Sequence, residues 1–285
     1  MHRARLAAAT ALLVAFWATP LAAEHGLAAA QASASGAASA ADAGSEDLAK
    51  KVTNPVSSLV SLPFQNNWQF EAGPENDTRY VLNVQPVIPA RLTARFNLIS
   101  RVIVPLVSQV PLVPGGEGNF GLGDASTSFF LTPAAPHHVI WAVGPALQLP
   151  LTSDPTLGSG KWVAGPTALV LVEGRRVTYG MLASQVWSYA GDSDRAEVNA
   201  GFFQPFVTLR EAVGNFGLSA EASANWDAES GERWTVPVLL TYTRVTHIGH
   251  RPTSFAMGPG YYAEKPTNGP AWLLRFNVTF LFPGG

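Results

Sequence analysis

From about residue 65 to the end of the chain, apolar and polar residues alternate with a period of two. The clearest example is Phe216 to Trp226, where Phe, Leu, Ala and Trp alternate with Gly, Ser, Glu and Asn. The stretches Phe96 to Val104 and Trp272 to Phe282 alternate in the same way. Because successive side chains of a strand point to opposite faces, each stretch predicts a β-strand with one apolar and one polar face.

Gly, Pro, Asp and Asn residues divide this region into twelve predicted strands. Strands of soluble proteins cluster near about 5 to 6 residues, whereas roughly 9 to 11 residues are needed to cross a bilayer at a tilt. Most of the predicted strands have the longer length, which favours membrane-spanning strands over a soluble sandwich. The twelve predicted strands are 65–73, 78–88, 93–106, 122–132, 138–149, 161–172, 177–189, 197–209, 215–226, 233–244, 252–262 and 271–282.

The connections between the predicted strands fall into two classes. After odd-numbered strands come mostly longer polar loops, such as Ser108 to Gly121 and Pro150 to Gly160. After even-numbered strands come short turns, such as Glu173 to Arg176. This asymmetry is typical of bacterial outer-membrane barrels whose two termini lie in the periplasm. We therefore predict an all-β fold, a transmembrane antiparallel up-and-down β-barrel of about twelve strands (roughly 10 to 14), with the Gly-rich stretch Val113 to Gly123 as its external constriction.

Two further residue types bear on the barrel. Tryptophans recur near the ends of predicted strands, where an interfacial girdle places them, although a soluble core would also collect aromatics. Prolines inside predicted strands argue against a barrel, because each removes a backbone hydrogen-bond donor and a closed barrel has no free edge where that loss is harmless. We expect bulges at these prolines, since a bulge leaves one residue unpaired. The tryptophans are Trp68, Trp141, Trp162, Trp187, Trp226, Trp234 and Trp272, and the prolines are Pro86, Pro145, Pro166, Pro205, Pro237 and Pro259.

The N-terminal region divides into an export signal and a linker. A basic start, an apolar run from Leu6 to Trp17 and a small-residue end at Ala23 predict a signal peptide over residues 1–23, with Ala30 as a second cleavage position. An uncleaved anchor is the alternative, but the run is shorter than the roughly 20 residues that a spanning helix needs. Residues 24–49, rich in Ala, Ser and Gly, are expected to form a flexible periplasmic tether. Residues 50–64 are expected to form a short pre-barrel segment, with the barrel itself over 65–285.

Composition narrows the function. The 285-residue chain has only 13% charged residues and a net charge of -2, so it lacks the basic excess that nucleic-acid binding requires. It contains no cysteine, which excludes disulfides, thiolate metal sites and a cysteine nucleophile.

Three stretches carry a resemblance to a known family. They are Asn54 to Asn67, Leu157 to Thr167 and Phe276 to Pro283. These stretches resemble the meta-pathway phenol-degradation family of outer-membrane β-barrels, whose members are often described as transporters and sometimes labelled neuromedin U, a hormone name that these residues do not support. The resemblance implies an outer-membrane barrel that passes small, often aromatic or hydrophobic molecules. The insertion signal of such barrels usually ends on an aromatic residue, and here Phe282 is followed by Pro283-Gly284-Gly285.

The polar face of the predicted strands is expected to line the lumen, because a charge facing lipid costs roughly 2 to 4 kcal/mol at the midplane. These residues either line an aqueous path for small solutes or form internal salt bridges that close the lumen. We expect a channel or transporter of the outer membrane, in contact with lipid, lipopolysaccharide and the barrel-assembly machinery, or alternatively a closed structural or surface-interaction barrel. The predicted lining residues are Asn83, Gln85, Arg95, Asn97, Arg101, Asp124, Ser126, Ser128, Glu221, Arg275 and Asn277.

We expect no catalytic site, metal site or cofactor. Gly158-Ser159-Gly160-Lys161 lacks the spacing of a phosphate-binding loop. The pairs His137-His138 and His247/His250 have no third ligand at a recognisable spacing. An outer-membrane hydrolase is the remaining enzymatic alternative, since Ser residues, His138 and Asp124 are present, but no nucleophile motif selects a triad.

Overall fold

The computed structural model describes residues 59–135, 138–211 and 214–282. The predicted signal peptide, the tether and residues 50–58 lie outside these ranges. Among the described residues, no helix is long and apolar enough to cross a membrane.

The described residues form a single sheet of fifteen strands. The strands are β1 Val60–Ala72, β2 Asp77–Val84, β3 Val87–Arg91, β4 Phe96–Gln109, β5 Asn119–Leu122, β6 Ala125–Pro133, β7 Val139–Leu149, β8 Lys161–Glu173, β9 Val177–Gly191, β10 Asn199–Glu211, β11 Gly214–Ala220, β12 Ala222–Asn225, β13 Trp234–Ile248, β14 Arg251–Glu264 and β15 Trp272–Phe282. Three membrane-spanning strands are each interrupted once and are therefore counted as two segments: β2 with β3, β5 with β6, and β11 with β12. The fifteen segments thus form twelve spanning strands.

The sheet closes on itself. Each spanning strand pairs antiparallel with the next in the chain, and β15 returns to pair with β1 from Val60↔Phe282 to Phe70↔Trp272. The predicted all-β, twelve-stranded antiparallel barrel is therefore confirmed. The predicted start of the first strand was wrong: Val60 to Phe64, assigned to the pre-barrel segment, pair with β15 and belong to β1.

The wall has the polarity expected of a barrel in lipid. Leu218 and Leu240 oppose each other on β11 and β13, point outward, and are 49% and 53% exposed. On β1 the inward positions are polar and buried, as at Gln65, Asn67 and Gln69. Because these outward side chains are apolar and these inward ones are polar, this part of the wall is the reverse of a soluble core and suits a surrounding hydrocarbon phase.

The two ends of the barrel differ in their connections. One, the long-loop end, carries 73–76, 110–118, 150–160, 192–198, 226–233 and 265–271, and the other, the short-turn end, carries 92–95, 174–176 and 249–250 among the described residues. Loop 150–160 contains a short 3-10 helix, Pro155–Leu157, whose first turn is capped by Asp154. The predicted alternation of long and short connections is thus present in the structure.

Each of the three strand interruptions faces a proline on a neighbouring strand. The backbone N–H of Gln85 donates to the Pro63 carbonyl at 3.0 Å, that of Gly123 to Pro105 at 2.9 Å, and that of Glu221 to Pro237 at 2.9 Å. A proline can accept such a bond but has no N–H with which to return one, so the ladder is interrupted there without a buried donor being lost.

The other prolines lie on the outer face, where the ladder to one neighbour is interrupted. Pro145 lies where pairing of β7 with β6 stops after Ser128↔Ala146 and resumes at Leu131↔Val143. Pro166 and Pro259 lie at similar gaps, and Pro205 lies opposite the interruption between β11 and β12. The prolines that opposed the barrel prediction are thus accommodated by local gaps in strand pairing, two of the predicted set (Pro86 and Pro237) lying at the interruptions themselves.

A charge on the outer face tests the position of the lipid. Leu240→Arg is expected to lower the free energy of unfolding by about 2 to 4 kcal/mol, because the guanidinium would face hydrocarbon. Leu151→Arg makes the same change at an exposed position of loop 150–160 and should be nearly neutral. Denaturant unfolding in phosphatidylcholine bilayers, followed by tryptophan fluorescence, measures both, and equal losses would contradict the assignment of the outer face.

Candidate functional site

The interior of the barrel holds ten of the eleven predicted lining residues. They lie on the inner face or at its interruptions, and most are buried. Asn97 is half-buried near the short-turn end. The prediction for Arg95 was wrong, because this residue is exposed in turn 92–95, where it follows the end of one strand and precedes the next rather than lying within the wall. The ten interior residues are Asn83, Gln85, Asn97, Arg101, Asp124, Ser126, Ser128, Glu221, Arg275 and Asn277.

A buried ion pair lies at the centre of this interior. Arg275 on β15 donates from Nη1 and Nη2 to the two carboxylate oxygens of Glu221, at 2.6 and 2.9 Å. Its Nε donates to Asn67 Oδ1 at 2.7 Å, and Gln204 donates to Glu221 Oε1 at 3.2 Å. Glu221 occupies the interruption between β11 and β12, and it points inward because the register of the strand pair is unchanged from Ala220↔Val238 to Ser223↔Thr235. The pair and its partners connect strands from different sides of the lumen.

A small cavity adjoins the ion pair. It has a volume of about 30 Å³ and is lined by residues that include Asn67, Asn83, Glu221, Tyr262 and Arg275. A water molecule needs roughly 10 to 15 Å³ of such volume, so the cavity has room for about two. The buried Oδ1 of Asn83 has no hydrogen-bond partner. A polar lining with an unsatisfied acceptor is suited to holding water or a polar group of a solute.

The opposite side of the interior is apolar. A cluster of buried side chains from β3, β4 and β6 to β10 includes Val87, Ile99, Phe130, Phe202 and Phe206. The interior therefore has one polar wall and one apolar wall, and the apolar side chains are packed against one another. When they separate, the two walls can contact both parts of an amphipathic small molecule.

The long-loop end is narrowed by loop 150–160. Leu157 is buried against Val81 and Val107, which point inward from β2 and β4. The expected constriction, Val113 to Gly123, instead has exposed residues such as Val113 and Phe120, and its second half forms β5 in the wall. The constricting loop was therefore predicted wrongly. Loop 150–160 could not be identified from the sequence, because its inward position depends on contacts with strands that are distant in the chain.

Asp124, at the second interruption, holds this loop in place. Its Oδ2 accepts hydrogen bonds from Ser159 N at 2.6 Å, Ser159 Oγ at 2.7 Å and Gln148 Nε2 at 3.0 Å. Gly158 allows the close approach, since a Cβ at this position would lie 2.3 Å from Asp124 Oδ1. Asp124 thus connects the wall to the end of the loop.

Loop 192–198 contacts both loop 150–160 and the start of β8. Arg195 donates to the Gly158 carbonyl, and Lys161 Nζ, at the first residue of β8, donates to Glu197 Oε1 at 2.6 Å. The hydrogen bond from Lys161, together with one from Ser188, lowers the pKa of Glu197 below its usual value. Hydrogen bonds from the Thr156 side chain and backbone lower the pKa of Asp154 in the same way. Because both carboxyl pKa values are depressed in the folded state, these contacts stabilise the loops at neutral pH and are lost as the pH falls through the lowered values.

The structure does not assemble the residues considered for catalysis or metal binding. Asp124 lies toward the long-loop end, whereas His138 lies at the short-turn end, where its Nδ1 contacts the Glu173 carbonyl oxygen at 3.0 Å. Among residues 59–135, 138–211 and 214–282, no group of three or more His, Asp or Glu side chains is arranged to hold a metal ion. His137 lies outside the described residues.

Several interior residues were missed by the sequence prediction. Asn67 lies within a predicted strand, but the neighbouring polar residue Asn66 obscured the alternation. Asn66 faces outward, where it accepts a hydrogen bond from Tyr80 and donates to the Phe276 carbonyl. Gln204 could have been found, because it is a polar residue inside the predicted strand 197–209. No sequence signal marked Ser159 as a contact of the wall or Lys161 as a contact of Glu197.

The closed ring, the apolar outer surface and the polar inner face together define an outer-membrane type of β-barrel. No family model matches the chain, and no curated protein matches it by sequence.

Among solved structures, the barrel is similar to the crystal structure of an outer membrane channel from Pseudomonas putida F1. The TM-score is 0.61 at 16% identity, over 79% of this chain and 94% of that one. Weaker likenesses are to outer membrane phospholipase A from Escherichia coli, with a TM-score of 0.46 at 12% identity over 78% and 90% of the chains, and to the calcium-bound phospholipase dimer from Salmonella typhi, with 0.45 at 12% over 78% and 90%. The first likeness supports the fold, and the other two are too weak to support an inference about activity.

Removal of the central carboxylate should destabilise the barrel. Glu221→Gln leaves the buried Arg275 uncompensated, so the free energy of unfolding is expected to fall by roughly 3 to 5 kcal/mol, and the double variant with Arg275→Met should recover most of this loss. Glu173→Gln is the matched control, because its partner Arg210 lies 3.2 Å away in a more exposed pair and the change should cost less than about 1 kcal/mol. Denaturant unfolding in lipid bilayers measures the stability of all three variants. A double variant that recovers none of the stability lost in Glu221→Gln would contradict the coupling of the two residues.

The Glu197 contact can be tested by titration. Lys161→Met should raise the pKa of Glu197 toward its usual value, and Ser188→Ala should raise it less, because the Lys161 hydrogen bond contributes most to the depression. Carbon NMR of the Glu197 carboxyl in detergent micelles gives the pKa of each variant. The same pKa in wild type and Lys161→Met would show that the ion pair does not form.

Proposed function

We propose that this barrel is a channel or transporter of the Gram-negative outer membrane, exported by its signal peptide, that passes small solutes between the outside and the periplasm. Lipid and lipopolysaccharide would surround it, and the barrel-assembly machinery would insert it. The observation that carries the proposal is the polar cavity in the interior. It has a volume of about 30 Å³, enough for about two water molecules, and its lining includes Asn83 and the central Glu221–Arg275 pair.

The interior also favours a gated path over a permanently open one. The Glu221–Arg275 pair spans the polar side of the lumen, and Leu157 covers the long-loop end. Solute passage therefore requires movement of loop 150–160, of the central side chains, or of both. The constriction is held by hydrogen bonds and one small apolar contact, which are interactions that can exchange on the timescale of loop motion.

The solute class follows from the apolar wall and from the family resemblance. The cluster around Phe130 and Phe202 offers contact surface for an apolar or aromatic body, and the polar wall offers partners for a hydroxyl or charged group. We propose that the chain is a relative of the phenol-degradation barrels and passes small aromatic or hydrophobic compounds. No enzymatic step is required for this role.

The second candidate is a closed barrel with a structural or surface-interaction role. The observation that favours it is the bidentate pair at the centre, which would stabilise a sealed lumen.

Flux measurements separate the two functions. The protein purified from outer membranes would be incorporated into liposomes, its folding confirmed by heat-modifiable migration, and the uptake of phenol, benzoate, glucose and chloride compared with protein-free vesicles. A channel raises uptake of at least one solute. A folded barrel with no uptake of any solute, in both wild type and the loop variant described next, supports the closed barrel.

Weakening the constriction should increase flux. Leu157→Ser removes the apolar contact with Val81 and Val107 and is expected to raise solute uptake several-fold, because the loop would leave the lumen more often. Val113→Ser is the matched control on the neighbouring exposed loop and should leave uptake unchanged. Equal uptake by the two variants would show that loop 150–160 does not limit passage.

A further inference from the structure

Arg101 differs from the other buried arginines of the inner face. It lies on β4, is 4% exposed, and its Nη1 and Nη2 atoms are buried without a hydrogen-bond partner. By contrast, Arg79 donates to Gln109 and Gln69 at 2.8 and 2.9 Å, and Arg275 donates to Glu221 and Asn67. A buried guanidinium without an acceptor is strongly unfavourable, and a bound group that accepts hydrogen bonds from its Nη atoms would remove this cost.

The neighbouring polar groups do not supply that partner. Glu221 exerts its charge on Arg101, but both of its carboxylate oxygens are occupied by Arg275. Gln85, diagonal to Arg101 across the strand pair, has an unpartnered Oε1 of its own. Because the Arg275–Glu221 pair is neutral as a unit, Arg101 adds one positive charge that an anion would compensate.

The surroundings of Arg101 are apolar. Val87 lies directly opposite it on β3, and Ile99 is the preceding inward residue of β4. Both belong to the cluster that contains Phe130 and Phe202. A guanidinium presents a planar fork of donors that matches a carboxylate, and the adjacent apolar surface matches a hydrocarbon or aromatic body.

We propose that Arg101 binds the carboxylate of a small organic acid with an apolar body, of the benzoate kind. The inference rests on the proposed channel function and defines its solute class. Because the Nη atoms are enclosed in the described conformation, the anion reaches Arg101 only when the surrounding lumen side chains separate. Binding therefore stabilises the open arrangement of the lumen.

The test compares three probes of similar size and different charge: benzoate, phenol and benzylammonium. Wild type, Arg101→Met and Arg101→Lys are compared with the control Arg95→Met, which removes an arginine from the exposed turn before β4. Two readouts are used: the shift of the thermal unfolding midpoint with probe concentration in detergent, and uptake into liposomes. Met has no charge and a similar length, so Arg101→Met should fold at least as stably as wild type without ligand.

In wild type and in Arg95→Met, benzoate is expected to raise the thermal unfolding midpoint until the site is saturated. Phenol and benzylammonium are expected to leave the midpoint unchanged. Arg101→Met should weaken benzoate binding by roughly tenfold to a hundredfold, the loss expected for charge-assisted hydrogen bonds, and Arg101→Lys by less. Benzoate uptake should fall in the same order while phenol uptake is unchanged.

The outcomes separate the inference from the function on which it rests. Uptake that is unaffected by Arg101→Met, with no benzoate-specific thermal shift in wild type, overturns the carboxylate site and leaves the channel standing. Absence of uptake for every probe in every variant overturns the channel function itself. An equal loss of benzoate binding in Arg95→Met would show a general effect of surface charge and would also overturn the site.

Discussion

The structure depends on one constraint: a chain in hydrocarbon must satisfy every backbone hydrogen bond within itself. A sheet meets this constraint only by closing, and the pairing of β15 with β1 provides the closure. The apolar outer face follows from the same surroundings, and charged residues of the spanning strands such as Arg79, Arg101 and Arg275 lie in the interior. The interruptions obey the constraint as well, because Gln85, Gly123 and Glu221 each donate their freed N–H to a proline carbonyl. The breaks in the wall are therefore compatible with the membrane.

Two of these interruptions also place the charges of the interior. Glu221 reaches Arg275 from a position where the ladder is broken, and Asp124 reaches Ser159 from another. At Asp124 the pairing with β4 shifts by one residue, from Leu106↔Leu122 to Ile103↔Ser126, as in a bulge. At Glu221 the register is unchanged, so this carboxylate keeps the inward direction that alternation gives it. The inner wall combines a polar network with an apolar cluster because each half of the barrel contributes a different set of inward residues.

Most of the fold could be predicted from the sequence because lipid on one side imposes a strong alternation on each strand. All twelve spanning strands were found in this way. The start of β1 was missed, since Pro63 is an apolar residue facing inward and Asn66 is a polar residue facing outward, stabilised by Tyr80. The interior set was largely found for the same reason as the strands. Pairs such as Arg275–Glu221 could not be found, because they depend on which strands face each other across the ring. The inward fold of loop 150–160 depends likewise on Asp124, which is 35 residues from Ser159.

The pairing of the first and last spanning strands has a consequence for biogenesis. All other pairs join strands that are neighbours in the chain, so they can form as the chain emerges. The pairing of β1 with β15 joins residues 208 positions apart, as in the Asn67–Arg275 contact, and it can form only when β15 is available to β1. Until then both strands are free edges with unpaired backbone groups, which are prone to aggregation. Closure removes both edges at once, so the order of the strands along the chain makes the last strand the one that protects the barrel from edge-to-edge association.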